Sequence, residues 1–151
     1  MNQLYVNLLR ENLHALNLNV DWLQRSCKQT AAIGRKAEYT ADEFDLLENL
    51  ASRYARTTDM LVNKVLRNID KVELEDVGTI IDVMNRAEKR EIVPSAEVLH
   101  SIKDLRNSIV HEYRSVDITG FFGDVQKYAV VLLEIIENVN KYCKKYLAEE
   151  S

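Results

Sequence analysis

At 151 residues, 46% hydrophobic and 29% charged, the chain has the length of one domain and the composition of a globular protein. A formal charge of −4 excludes a global electrostatic pull towards nucleic acid, so any RNA contact must come from a local patch. The longest apolar run, YAVVLLEII, contains Glu134, which excludes a membrane-spanning helix there.

One proline and four glycines predict long, uninterrupted helices. The first is expected over 2–29, where Leu9, Leu13, Leu16, Val20, Leu23 and Cys27 recur at alternating spacings of four and three. Asn7, Arg10, Glu11 and Asn12 interrupt its apolar positions, so it lacks a signal-peptide pattern and a cytoplasmic location is expected. His14 lies at the edge of the stripe with no catalytic partner nearby, and Trp22 reads as a packing residue. The connection around Gly34 is the longest loop expected.

Thr40 with Glu43 forms a capping-box pattern that opens the second helix, 41–69. Phe44, Leu47, Ala51, Tyr54, Thr58, Leu61 and Val65 make its core face. A third helix is expected over 73–91 on the stripe Leu74, Val77, Ile81, Met84. Pro94 ends it, and Ser95 can cap a fourth helix over 95–114 with Val98, Ile102, Leu105 and Ile109 inward. Asp117 and Thr119 are possible caps for the fifth, 119–148, whose stripe is Val125, Tyr128, Leu132, Ile135, Val139, Tyr142 and Tyr146. The expected fold is an all-α, antiparallel bundle of about five helices in one domain. Cys27 and Cys143 are far apart, form no metal-ligand spacing and read as core-filling thiols of a reducing compartment.

The residues that carry chemistry gather in LRNSIVHEY, Leu105–Tyr113. At about 100° per residue, Asn107 and His111 point away from the apolar stripe, while Arg106 and Tyr113 share one of its flanks. Histidine titrates near neutrality, and arginine forks onto phosphate oxygens. Together they are an economical kit for cleaving RNA, where the substrate's own 2′-hydroxyl is the nucleophile and no metal is required. On a regular helix about 140° separates Arg106 from His111, so a distortion or a cleft shared with a second subunit must bring them together. Composition and spacing by themselves favour a plain helix end, because cations near a C-terminus complement the helix dipole and one arginine with one histidine is not a specific signal.

Arg106-Asn107-Ser108-Ile109-Val110-His111-Glu112-Tyr113 resembles the Arg-x4-His-x-Tyr motif of the HEPN superfamily, in particular its HepT toxin branch. The resemblance covers about residues 95–115 closely and 74–147 in architecture. It implies a metal-independent ribonuclease acting as a homodimer, without cofactor, with Arg106 on the scissile phosphate, His111 in proton transfer and Asn107 orienting. It also implies a small nucleotidyltransferase antitoxin that adds AMP to Tyr113. The alternative is a non-catalytic, substrate-binding subunit of such a nucleotidyltransferase. Two further cation groups invite comparison with RNA sites: Lys64, Arg67 and Lys71, and Arg86, Lys89 and Arg90. Both sit at expected helix C-termini among Asp70, Glu73, Glu88 and Glu91, which dilute them.

Overall fold

The computed structural model describes residues 2–109 and 117–148. The described residues are helical with no strand, and their elements are α1 (Gln3–Thr30), α2 (Ala41–Asp59), a π-helical stretch (Met60–Val65), α3 (Leu66–Val72), α4 (Ile80–Lys89), α5 (Ala96–Ser108) and α6 (Ile118–Leu147). α2, the π stretch and α3 run on without a break, so the described residues make five rods. No helix among the described residues is long and apolar enough to cross a membrane.

α1 buries Val6, Leu9, Leu13, Leu16 and Leu23, the 3.6-residue stripe that its sequence spells out. It runs antiparallel to the long 41–72 rod. Arg53 reaches Ser26 at one end, and Asn12 and Asn68 are hydrogen-bonded near the other. It is antiparallel to α6 as well, through the reciprocal amide pair Asn17–Asn140 and the bond from Gln126 to the Thr30 carbonyl. Thr40 and Glu43 form the expected capping box on α2. Tyr54 is fully buried and donates to the Ile102 carbonyl at 2.8 Å, tying α2 to α5.

The π stretch has a reason in the sequence. Thr57, Leu61, Val65 and Ile69 are all buried, as are Thr58, Val62 and Leu66. These positions recur every four residues, wider than an α-helix turns, so a single straight α-helix would rotate some of them out of the core. A π turn absorbs the excess rotation and keeps both rows inside.

The third rod departs from expectation. α4 starts at Ile80, and the segment before it is not helical. Leu74 is 75% exposed and Val77 96% exposed, so the stripe proposed for them does not exist. The cause is local. Leu74 has φ of 59°, and the Glu75 N–H bonds the Asp70 carbonyl while the Leu74 N–H bonds that of Lys71. This is a Schellman ending, and it terminates α3. Thr79 and Asp82 then form a second capping box, and Gly78 is needed beside it because a Cβ there would lie 2.7 Å from Asp82. α4 buries Val83, Met84 and Ala87, so Met84 of the expected stripe is inside while Ile81 is 52% exposed. It ends in another Schellman turn at Glu91, φ 61°, with Ile92 N–H on the Ala87 carbonyl.

A side chain with a Cβ in the left-handed region costs about 1 kcal/mol. Leu74→Gly is therefore expected to stabilise the protein by roughly 0.5–1 kcal/mol, since Leu74 has little packing to lose. Thermal unfolding should show a rise of about 2–4 °C. A fall would mean that Leu74 contributes a contact outweighing its strained backbone.

Ser95 caps α5 as expected, its hydroxyl accepting from the Val98 N–H, and Asp117 caps α6. The Thr119 hydroxyl instead donates to the Lys36 carbonyl at 2.6 Å. Tyr39 and Phe44 stack edge-on against Phe122, with centroids at 6.1 and 5.5 Å. The long connection around Gly34 is thus pinned to the start of α6.

Candidate functional site

The sequence motif straddles the limit of the described residues. Arg106 and Asn107 lie in the last turn of α5, whereas His111 and Tyr113 fall outside the described residues. Asn107 is exposed, as its outward direction predicts.

Arg106 is placed differently from expectation. The residues that α5 buries are Ala96, Leu99 and Ile102, followed by Ile109, while Val98 and Leu105 are only half-buried. Arg106 is seven residues after Leu99 and four after Ile102, so it lies on the buried stripe rather than on its flank. A cation can occupy that position because α2 supplies its counter-charge. Asp59 accepts from Nε and from the second terminal nitrogen of Arg106, both at 2.7 Å, in a two-toothed fork. The arginine side chain is 25% exposed and the aspartate 36%. Bonding to Asp59 raises the Arg106 pKa further above its ordinary value, against a smaller opposing effect of burial.

Asp59 uses two of the five N–H bonds of the guanidinium, and the remaining edge can take an oxyanion. The carboxylate is the last residue of α2, immediately before the π stretch. Sequence reasoning missed Asp59, because forty-seven residues separate it from Arg106. Its only sequence signal is an acid breaking the polar face next to the four-residue repeat that forces the π turn. At the end of α5 the Ile109 N–H bonds the Arg106 carbonyl at 3.3 Å, so the turn has tightened where the motif continues.

The other cation groups are largely occupied. Arg86 and Arg90 converge on Asp70, at 3.1 and 2.6 Å, and Arg90 also donates to Glu73 at 2.8 Å. Glu73 accepts short hydrogen bonds from the hydroxyls of Tyr142 and Tyr146, with Lys145 over both rings. Arg67 donates to the Gly78 carbonyl, and Lys71 lies over Tyr5. Arg86 and Arg90 thus belong to a staple joining α3, α4 and α6, not to an RNA-facing patch. Cys143 is buried, which pushes its thiol up to about 12, as a core filler requires.

Burial pushes the Glu73 carboxyl up, but the hydrogen bonds from Tyr142, Tyr146 and Arg90 and the Arg90 charge outweigh it and hold the carboxyl below its ordinary value. A lowered folded-state pKa contributes stability above the unfolded value of about 4.3 and loses it as pH falls through the folded one. Stability should therefore drop as pH falls below about 5, and Glu73→Gln should flatten that part of the profile in urea unfolding. An unchanged slope would show that other carboxylates carry the acid sensitivity.

Trp22 also contradicts the sequence reading. Its ring is 55% exposed rather than packed, and the guanidinium of Arg53 lies over it at 5.0 Å. Tyr142 and Tyr146 are packed as expected, with the addition of their bonds to Glu73. His14 is exposed and His100 half-buried.

No family model matches the chain, and comparisons with curated proteins and with solved structures likewise found no match. The functional reading therefore stands on the site's own chemistry and on the motif.

Proposed function

We propose that the protein is a metal-independent endoribonuclease resembling the HepT toxins of the HEPN superfamily. One observation carries the proposal: Arg106, the first residue of the motif, is held by the Asp59 fork, which uses two of its five N–H bonds, and Asn107 is exposed beside it. A guanidinium held in one orientation suits a phosphodiester, because no rearrangement is required when charge builds on the phosphoryl oxygens. The 2′-hydroxyl attacks phosphorus, the bond to the 5′-oxygen breaks, and a 2′,3′-cyclic phosphate and a 5′-hydroxyl result. His111 moves the proton from the nucleophile or to the leaving oxygen. Asn107 orients the substrate or the imidazole.

The active unit under this reading is a homodimer, in which two motifs share a groove. Its partner is a small nucleotidyltransferase antitoxin that joins AMP to Tyr113. The added phosphodiester carries a negative charge close to Arg106 in sequence and competes for it with RNA phosphate. Intact mass after co-expression with such a partner should show one AMP adduct, lost in Tyr113→Phe.

RNA cleavage in EDTA tests the reading directly. Protein expressed without a partner should leave cyclic-phosphate ends, and His111→Ala should leave none. Inactivity of the unmodified wild type on several RNAs would favour the non-catalytic nucleotidyltransferase subunit. Asp59 acts through Arg106, as a positioning residue. Asp59→Asn is expected to lower kcat by roughly 10²-fold, the effect of a misplacement of about 1 Å, with KM and Tm little changed. Equal loss of activity and of folded protein would reduce Asp59 to a structural ion pair.

A further inference from the structure

The outward faces of α1 and α2 carry a feature that the Arg106 site does not use. Trp22, the chain's single tryptophan, stands as a ridge between two surface clefts. One, of 180 Å³, is lined by Asn19, Trp22, Arg53 and Arg56. The other, of 520 Å³, is lined by Asp21, Trp22, Gln24, Arg25, Lys28 and Gln29. Four cations thus flank one exposed indole against a single lining carboxylate, in a chain whose net charge is −4. Arg53 is anchored by donating to the Ser26 hydroxyl at 2.7 Å, which fixes its plane over the indole.

Arg56 of this cleft lies one helical turn before Asp59 on α2. Arg53, Arg56 and Asp59 follow one another at three-residue steps, and side chains at that spacing are neighbours about 5–6 Å apart. The far end of this row is the carboxylate that holds Arg106.

We propose that Trp22, Arg53 and Arg56 form a second subsite for single-stranded RNA. A nucleobase stacks on the Trp22–Arg53 pair, and Arg56 takes a flanking phosphate. Stacking reads no base edge, so the subsite adds affinity without dictating sequence. The inference rests on the ribonuclease reading for its meaning, but not for its test. A second protein chain is the competing occupant, because Leu18 is exposed one turn away. Four lining cations against one carboxylate favour a polyanion, because a positive patch attracts phosphate even in a chain of net negative charge.

The test uses the full chain and a single-stranded DNA oligonucleotide with a fluorescent end label, which lacks the 2′-hydroxyl and cannot be cleaved by this chemistry. Label anisotropy reports binding, and the single indole reports the subsite. Saturable quenching of Trp22 in step with anisotropy is expected. Trp22→Ala should weaken binding roughly ten-fold or more, and Trp22→Phe should recover most of it. Arg56→Ala, at an exposed position, should lower the slope of affinity against salt by about one. Binding with a silent indole, or equal affinity of Trp22→Ala, would overturn the subsite. So would a dimer that falls to monomer in Trp22→Ala with affinity unchanged, which would assign the patch to a second copy. Quenching by an enzyme that cuts no RNA would overturn the ribonuclease reading and keep the subsite. Cleavage with a silent indole would do the reverse.

Discussion

Cleavage of RNA in EDTA is expected to fall by about 10²–10⁴ in His111→Ala, the range that a positioned general acid or base supplies. Arg106→Ala should lose a comparable amount, about 10²–10³, because it removes the donor aimed at the charge developing on phosphate. Arg106→Lys should recover little. An ammonium keeps the charge but cannot accept the two-toothed grip of Asp59 and still present a fixed edge to the substrate. Folding is not at issue in the Arg106 variants. The Arg106–Asp59 pair is partly exposed on both sides, and such pairs contribute at most about 1 kcal/mol. Thermal unfolding should therefore change by only a few degrees. Activity in Arg106→Ala equal to wild type would return the motif to the status of a charged helix end, whatever His111→Ala did.

The largest effect on stability is expected at Asp70. Its carboxylate is 5% exposed and accepts from Arg86 and from Arg90, whose own side chain is 9% exposed. Asp70→Ala leaves two guanidinium groups turned towards a site that no longer holds their acceptor, and Arg90 then depends on Glu73 alone. Removing one partner of a buried pair costs about 3–5 kcal/mol, a large part of the 5–15 kcal/mol that a domain has. The urea midpoint should drop accordingly, and Tm by on the order of 10 °C. Asp70→Asn should lose less, since its amide oxygen still accepts one bond. Replacing the whole set by apolar side chains should recover much of the loss, because the penalty lies in stranding charges. A cost under about 1 kcal/mol for Asp70→Ala would show that water enters and solvates Arg86 and Arg90.

Much of the helical architecture is legible in the chain because helix formation is a local affair. The stripe of Leu9, Leu13, Leu16 and Leu23, the Thr40–Glu43 capping box, Pro94 with Ser95, and the Asp117 cap depend on residues within a few positions of one another. The same local logic failed at 73–79, where the spacing of Leu74, Val77 and Ile81 imitates a core face. Two signals there compete with the periodicity: the Schellman turn at Leu74 and the Thr79–Asp82 box. Only the second can be read from residue types, since leucine is a poor predictor of a left-handed backbone.

What tertiary structure alone decided is which charges meet. Asp59 finds Arg106, Asp70 finds Arg86 and Arg90, and Glu73 gathers two tyrosines from the far end of the chain. These pairings select between identical sequence signals. Arg86 and Arg90 looked like a possible RNA patch and are consumed by a staple, while Trp22 looked like core and stands open beside Arg53. Periodicity tells which side of a helix is apolar, but it cannot tell which neighbour arrives to cover it. The 28-residue α1 has more surface than its neighbours can bury. Where its outer flank is left uncovered, an aromatic ring remains in solvent, and the cations around it give that exposure a use.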